Sequence, residues 1–159
     1  MADDSYVQKQ ATIAAIFNLV LNPVFAWLGN RNMDFVPVAD MMASFATSSV
    51  ILSLLVALFA ASGVRRELKA GHDIRTAPHP HEASLLSRLP ANGWVLGLLL
   101  GAGAAVIALF VLWLLGALGL SGMSFVAFAT VLGLYAGSLG YLVARWVILR
   151  QLTAATLVP

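Results

Sequence analysis

Residues 93–118 read GWVLGLLLGAGAAVIALFVLWLLGAL, a run of apolar and small side chains without a single charge. A helix needs about 20 such residues to cross the roughly 30 Å hydrocarbon core of a bilayer, so this stretch is long enough. Trp94 and Trp113 lie near its two ends, about 28 Å apart along a helix axis at about 1.5 Å per residue. Tryptophan is typical of the two membrane–water interfaces. The stretch therefore predicts a transmembrane helix.

Three further stretches have the same character, and they cover residues 11–28, 41–63 and 123–149. The whole chain is 60% hydrophobic and only 10% charged, whereas a soluble domain carries about 25% charged residues. Backbone groups in lipid must find hydrogen-bond partners within their own segment, which a helix provides. The sequence therefore predicts an all-α integral membrane four-helix bundle, a single domain over residues 1–159 built from antiparallel helix hairpins.

The basic residues divide unequally between the two sides that four spans create. One side carries eight of them, namely Lys9, Arg65, Arg66, Lys69, Arg75, Arg88, Arg145 and Arg150, whereas the other carries Arg31 alone. Lysine and arginine accumulate in cytoplasmic segments next to transmembrane helices. The count predicts that both termini and the loop at residues 64–92 lie in the cytoplasm.

Helix ends also leave signals in the sequence. Ser5 followed by Gln8 is a capping-box pattern, which places the start of helix one at Ser5. Asp40 is expected to be the N-cap of helix two. That helix is expected to continue beyond the membrane until Gly71, because glycine commonly ends a helix.

Each predicted span has a face of small residues. In helices three and four these faces contain Gly97, Gly101, Ala105, Gly133, Gly137 and Gly140. Small residues let two backbones approach closely, and such contacts drive helix association in lipid, where hydrophobicity cannot. Because a short connection joins helices three and four, we expect them to pack antiparallel through these faces.

Asn18 and Asn22, followed by Pro23, are the strongly polar residues nearest the middle of a span. The favoured interpretation is a dry seam, in which the two amides bind hydroxyl groups of helix two. The alternative is a polar cavity for a substrate, an ion or a lipid headgroup. The candidate intramembrane polar site comprises Asn18, Asn22, Thr47, Ser49, Ser53, Tyr135 and Tyr141.

The sequence contains few residues suited to disulfide bonding, metal binding or catalysis. The chain has no cysteine, which excludes disulfides and thiolate sites. His72, His79 and His81 lie in the inner loop, where we interpret them as solvated residues and not as metal ligands. Residues 82–89 could form a short helix on the inner membrane surface. No span holds an ionisable group at its middle, so no enzyme activity and no cofactor are predicted.

Residues 11–71 combine an asparagine-bearing first helix, the turn Val36-Pro37, a second helix with serine and threonine, Val64-Arg65-Arg66 and Gly71. This order resembles a group of small, functionally uncharacterised four-span proteins of bacterial inner membranes. The resemblance implies a bacterial inner-membrane location and brings no known activity.

Two functional hypotheses follow from these patterns. The first is a non-enzymatic membrane protein that acts by helix–helix association, as a homo-oligomer or as an accessory subunit of a membrane complex. The second is an oligomeric small-molecule or ion transporter or channel with Asn18, Asn22 and Ser49 along its pathway. In both cases the expected partners are membrane lipids and membrane proteins, and not nucleic acid, because the formal net charge is only +2.

Overall fold

A computed structural model describes residues 4–30, 33–71, 86 and 88–156. Its elements in chain order are α1 (Asp4–Asn30), β1 (Phe35–Pro37), α2 (Val38–Lys69), α3 (Gly93–Ala117), β2 (Gly122–Ser124) and α4 (Phe125–Thr156). All four helices are long and apolar enough to cross a membrane. The predicted all-α four-helix bundle of a membrane protein is confirmed.

Of the three helix ends predicted from the sequence, the structure agrees with one and differs from two. α2 ends at Lys69, and Gly71 follows with a φ of 76°, which glycine adopts without steric cost. Asp40 lies in the first turn of α2 and does not cap it, because the helix already begins at Val38. Ser5 lies inside α1 and not at its N-cap, since the helix already includes Asp4. Both cap predictions were wrong.

Two three-residue strands, which the sequence did not predict, join the two short connections. They pair antiparallel with Phe35 opposite Ser124, Val36 opposite Met123 and Pro37 opposite Gly122. A Cβ atom on Gly122 would collide with the Val36 carbonyl oxygen and lie 2.6 Å from the Phe35 ring, so only glycine fits this close approach. We call this end of the bundle the strand end.

The strand pair also explains why α2 starts without a side-chain cap. The Val38 amide donates to the Ser121 carbonyl (3.1 Å), and the Phe125 amide donates to the Asp34 carbonyl (3.0 Å). The first amides of a helix have no partner inside it. Here each of the two helices has its first amide satisfied by the opposite connection, and no carboxylate cap is needed at position 40.

Strand pairing decides which helices pack together. α1 lies mainly against α4, α3 lies mainly against α2, and α2 and α4 contact each other between them. α3 and α4 touch only slightly, although they are neighbours in the chain. The expectation that α3 and α4 pack through their glycines was therefore wrong. The physical reason is that β2 pairs with β1, which starts α4 beside α2.

The bundle consists of two similar helix–strand–helix units. Val36 pairs with Met123, 87 positions later in the chain (123 − 36 = 87). The same offset takes the first residue of α2 to the first residue of α4, and both helices have 32 residues. Every buried residue of α2 has a buried counterpart in α4. The pairs are Met41 and Phe128, Phe45 and Leu132, Ser49 and Ala136, Leu52 and Leu139, Ser53 and Gly140, Ala57 and Ala144, Ala61 and Ile148, and Val64 and Gln151.

A pseudo-two-fold axis parallel to the helices relates the two units. The reciprocal hydrogen bonds of Val38 and Phe125 obey it, and so does the packing of α1 on α4 and of α3 on α2. The motif L-x-x-L-V-A also recurs, at residues 52–57 and 139–144. Parallel repeats of this kind, with an axis along the membrane normal, are known in membrane proteins. The helices of each unit make most of their contacts with helices of the other unit, so the two units are intertwined.

The core continues from one end of the bundle to the other. At the strand end Phe45 and Phe128 meet edge to face, with ring centroids 6.3 Å apart. At the opposite end Val7, Val64 and Leu152 are buried together. This second end carries Lys9, Arg65, Arg66, Lys69, Arg145 and Arg150 among the described residues, and we call it the basic end.

Candidate functional site

The two intramembrane asparagines form hydrogen bonds within α1. The Asn18 Nδ2 donates to the Ala14 carbonyl (2.7 Å), and the Asn22 Nδ2 donates to the Asn18 carbonyl (3.1 Å). Neither amide reaches α2, so the predicted seam with the hydroxyl groups of that helix was wrong. The reason is again the packing order, because α1 lies against α4 and makes few contacts with α2.

Asn18 faces a glycine of α4. A Cβ atom on Gly140 would lie 2.8 Å from the Asn18 Nδ2, which is too close for a real side chain. The amide therefore fills the space that the missing side chain leaves. This contact, together with the bond to Ala14, gives the polar group a defined place in an apolar environment.

Ser49 and Tyr135 are the members of the predicted polar site that the structure brings together. The Ser49 Oγ donates to the Phe45 carbonyl (2.6 Å) and lies 2.6 Å from the Tyr135 Oη. The Tyr135 Oη is also 3.2 Å from the Ala104 carbonyl, so its proton can bond either acceptor. These bonds join α2, α3 and α4, about a third of the way along α2 and α4 from the strand end. The hydroxyl groups of Ser49 and Tyr135 bond to each other and to backbone carbonyls, which is typical of a structural role.

The other members of the predicted polar site lie apart. Ser53 is fully buried between α2 and α3, and its Oγ has no hydrogen-bond partner among the described residues. Thr47 is exposed on the outer face of α2. Tyr141 lines a shallow depression between α1 and α4. The structure does not assemble the seven residues into one site.

The glycines of α3 lie against α2. A Cβ atom on Gly97 would collide with the Ala57 side chain, and it would lie 2.8 Å from the Ser53 carbonyl oxygen. A Cβ atom on Gly101 would lie 2.8 Å from the Ser49 carbonyl oxygen. Ala105 continues this face and is buried, with 8% of its surface exposed. The small residues permit close helix contact as expected, but their partner is α2.

The glycines of α4 lie against α1 in the same way. A Cβ atom on Gly133 would lie 2.8 Å from the Pro23 ring, and one on Gly137 would lie 3.2 Å from the Ala15 carbonyl oxygen. Together with Gly140 they give α1 its place in the bundle. The small-residue faces of both helices are thus occupied within the chain.

A groove of about 420 Å³ opens between α1 and α2, and α4 lines its back with Ala144 and Ile148. Its walls and its mouth are contributed by Tyr6, Gln10, Ile13, Ala14, Phe17, Asn18, Val56, Phe59, Ala60, Gly63 and Glu67. Tyr6 and Glu67 lie at the basic end, whereas Asn18 lies near the middle of α1. The groove therefore runs from the basic end to about half the depth of the bundle.

In the second unit, a large side chain stands at the position equivalent to Gly63. The counterpart of Gly63 is Arg150, a side chain with only 9% of its surface exposed. The Arg150 Nε donates to the Leu89 carbonyl (2.9 Å), and the neighbouring Gln151 Nε2 donates to the Ala91 carbonyl (2.7 Å). The segment before α3 is thereby fixed against the end of α4. Sequence reasoning missed both anchors, since nothing local indicates carbonyl partners so distant in the chain.

The remaining predictions concern the loop between α2 and α3. His72, His79 and His81 lie outside the described residues, and the described residues contain no cluster of side chains that could hold a metal ion. Of the predicted surface helix at 82–89, positions 86, 88 and 89 are described. Leu86 is 1% exposed and packs with Val7 and Val64, so it covers the basic end of the bundle itself.

No family model matches the chain, and comparison with curated proteins and with solved structures found no similar protein. The resemblance of residues 11–71 to small four-span bacterial proteins stays a prediction.

Proposed function

We propose that the chain is a non-enzymatic membrane protein that acts by associating with other membrane proteins, as a homo-oligomer or as an accessory subunit. The observation that carries this proposal is the arrangement of α1 and α3 at the outside of the bundle. Each of them rests mainly on one inner helix, which leaves the rest of its surface uncovered. Val20 and Phe25 on α1 are 57% and 61% exposed, and Val106 and Ile107 on α3 are 66% and 67% exposed.

Association through these faces would use large side chains, because the small-residue faces are already occupied. One open position exists on α3, where a Cβ atom on Gly103 would meet no atom within 4 Å. Packing of apolar side chains around such a notch is one way in which helices associate in lipid. The polar groups of Asn18, Asn22 and Tyr135 are engaged within the chain, which supports an associating protein over a protein with a polar pathway.

The transporter hypothesis has one supporting observation, the position of Asn18 in the wall of the groove. Both asparagine amides donate to carbonyls of their own helix, however, and this leaves fewer polar groups to coordinate a substrate. Association is therefore the better-supported function.

We further propose that the protein lies in the inner membrane of a bacterium with both termini in the cytoplasm. The support for this orientation is the charge distribution, eight basic residues on one side against one on the other. The support for a bacterial origin is the resemblance of residues 11–71 alone.

Single cysteines test the association, because the natural chain has none. We expect Val20→Cys, on the outer face of α1, to give a disulfide-linked dimer when native membranes are treated with a membrane-permeant oxidant. Ala26→Cys is the matched control, since Ala26 lies on the buried face of the same helix with 8% exposed. If Val20→Cys and Ile107→Cys both stay uncross-linked and the protein purifies alone as a monomer, the proposal is wrong.

A further inference from the structure

We propose that the groove between α1 and α2 is a binding site for one acyl chain of a phospholipid, whose headgroup lies at the basic end. This site is separate from the outer faces through which association is proposed. It depends on the shape and the lining of the groove, on the basic residues beside its mouth, and on the contrast with the second unit, which has Arg150 at the position of Gly63.

The groove has the length of one leaflet. Along α1 it runs from Tyr6 to Asn18, about 18 Å at about 1.5 Å per residue. Half of the roughly 30 Å hydrocarbon core is about 15 Å, the depth that an acyl chain of one leaflet occupies. A lipid chain that enters from the basic end would therefore finish close to Asn18.

The lining suits hydrocarbon. Ile13 and Phe17 form one wall and Val56 and Phe59 form the other, so most of the contact surface is apolar. Asn18 is polar, but its amide group donates to the Ala14 carbonyl. One N–H of the Asn18 amide is thus engaged within α1, and the apolar side chains beside it can contact the end of an acyl chain.

Two basic side chains of α1 and α2 lie beside the mouth of the groove without lining it. Lys9 lies on the face of α1 that carries Tyr6, and Arg66 lies one turn from Gly63 on α2; both cations are exposed. Glu67 also lines the mouth, and it is already engaged in an interaction within the protein. The attraction for a phosphate group at the membrane surface therefore comes from Lys9 and Arg66 beside the mouth, and not from the lining itself.

In the second unit, the protein's own side chains occupy the position equivalent to Gly63. At the position equivalent to Gly63, Arg150 binds the Leu89 carbonyl, and the Leu89 side chain packs against the core. Arg150 therefore occupies this position in the second unit, whereas in the first unit Gly63 lines an open groove.

Blocking the groove tests the site. Gly63→Leu would place a side chain at the mouth, where a Cβ atom would lie 3.8 Å from its nearest neighbour, the Tyr6 Oη. The matched control is Gly29→Leu, the same change at an open position near the other end of α1, away from the groove. Delipidated protein is titrated with a phosphatidylethanolamine in detergent, and bound lipid is counted by native mass spectrometry.

We expect the unaltered protein and Gly29→Leu to bind one lipid per chain and to saturate. Gly63→Leu should bind at least about ten-fold more weakly, since a filled groove excludes the chain. Ala60→Phe fills the same groove from α2 and should give the same loss if Gly63→Leu does not fold.

Three results would overturn the proposal. The first is lipid uptake by the unaltered protein that rises with lipid concentration without saturating. The second is equal affinity for Gly63→Leu, Ala60→Phe and the unaltered protein. The third is a loss of dimer in the groove variants with unchanged lipid binding, which would assign the groove to a second copy of the chain. Failure of the Val20→Cys cross-link would leave the lipid result unaffected, so the two proposals can fail separately.

Discussion

Asn18 and Asn22 show how a polar residue can be accommodated in an apolar helix without a partner from another helix. Each side-chain amide donates to a carbonyl in the preceding turn, and Asn18 also occupies the space above Gly140. Hydrogen bonds between side chains in membrane proteins contribute only about 0.6 kcal/mol on average. The shape of the Asn18 side chain is therefore as important for packing as its polarity.

We expect the double change Asn18→Leu plus Asn22→Leu to be tolerated. Leucine has nearly the shape of asparagine, so the fit beside Gly140 is kept, and the lost local bonds are worth about 1 kcal/mol or less. Thermal unfolding in detergent should show a small shift. A loss of stability as large as that of Gly140→Leu would mean that the amides hold the bundle together.

The position of Asn22 can be checked with a single cysteine. Asn22→Cys should react slowly with a water-soluble thiol reagent in intact membranes, whereas Ser124→Cys, exposed at the strand end, should react quickly. Rapid labelling at position 22 would indicate a water-filled cavity and would move the transporter hypothesis to first place.

At the scale of elements, the glycines determine which helix surfaces can meet. Gly97 and Gly101 lie against the backbone of α2, and Gly133 and Gly137 lie against the backbone of α1. At Gly97, Gly101 and Gly133 a Cβ atom would lie 2.8 Å or less from a neighbouring atom, and at Gly137 it would be a tight contact of 3.2 Å. Because neither α1 nor α3 has a second extensive neighbour, these faces are what hold the outer helices to the inner pair.

We expect Gly137→Leu to loosen α1 from α4. A Cβ atom at this position would lie 3.2 Å from the Ala15 carbonyl oxygen and 3.3 Å from the Leu19 Cβ, and the rest of a leucine would force the two helices apart. Overpacking of this kind costs about 1–3 kcal/mol. The melting temperature in detergent is the measurement.

Two controls belong with this variant. Leu134→Ala changes a residue that is 58% exposed on another face of α4 and should be milder. Gly103→Leu introduces the same side chain at an open position. Equal melting temperatures for Gly137→Leu and Gly103→Leu would show that the α1–α4 contact does not stabilise the protein.

At the scale of the whole molecule, the two helix–strand–helix units depend on each other. α1 and α2 make few contacts with one another, and so do α3 and α4. Each unit completes its core with helices of the other, and the strand pair fixes the two connections together. The pseudo-two-fold axis also places the helix ends that carry basic residues at the same end of the bundle.

This arrangement sharpens the prediction of membrane orientation. Since Lys9, Arg65 and Arg66 lie at the basic end together with Arg145, one orientation puts nearly all positive charge in the cytoplasm. A reporter that is active only in the periplasm should be silent when fused after Pro159 and active when inserted at Asn32. The opposite pattern would reverse the orientation.

The sequence by itself determined the four helices, because the length and apolarity of a segment decide whether it can cross a bilayer as a helix. It also located the end of α2 at Gly71 and identified the residues small enough for close contact. These properties are local, and each can be recognised within a window of about one span. Which helix each face meets is not local, and on that point the sequence-based expectations for α3 and α4 and for Asn18 failed.

Only the tertiary structure decided the helix partners, since these depend on the pairing of β1 with β2, two strands too short to leave a pattern of alternating residues. The repeated L-x-x-L-V-A at 52–57 and 139–144 was present in the sequence. Leucine, valine and alanine are so common in membrane spans that the repeat does not stand out there. The groove between α1 and α2 likewise required the fold, because its walls come from helices that are adjacent in the chain but held apart by α4.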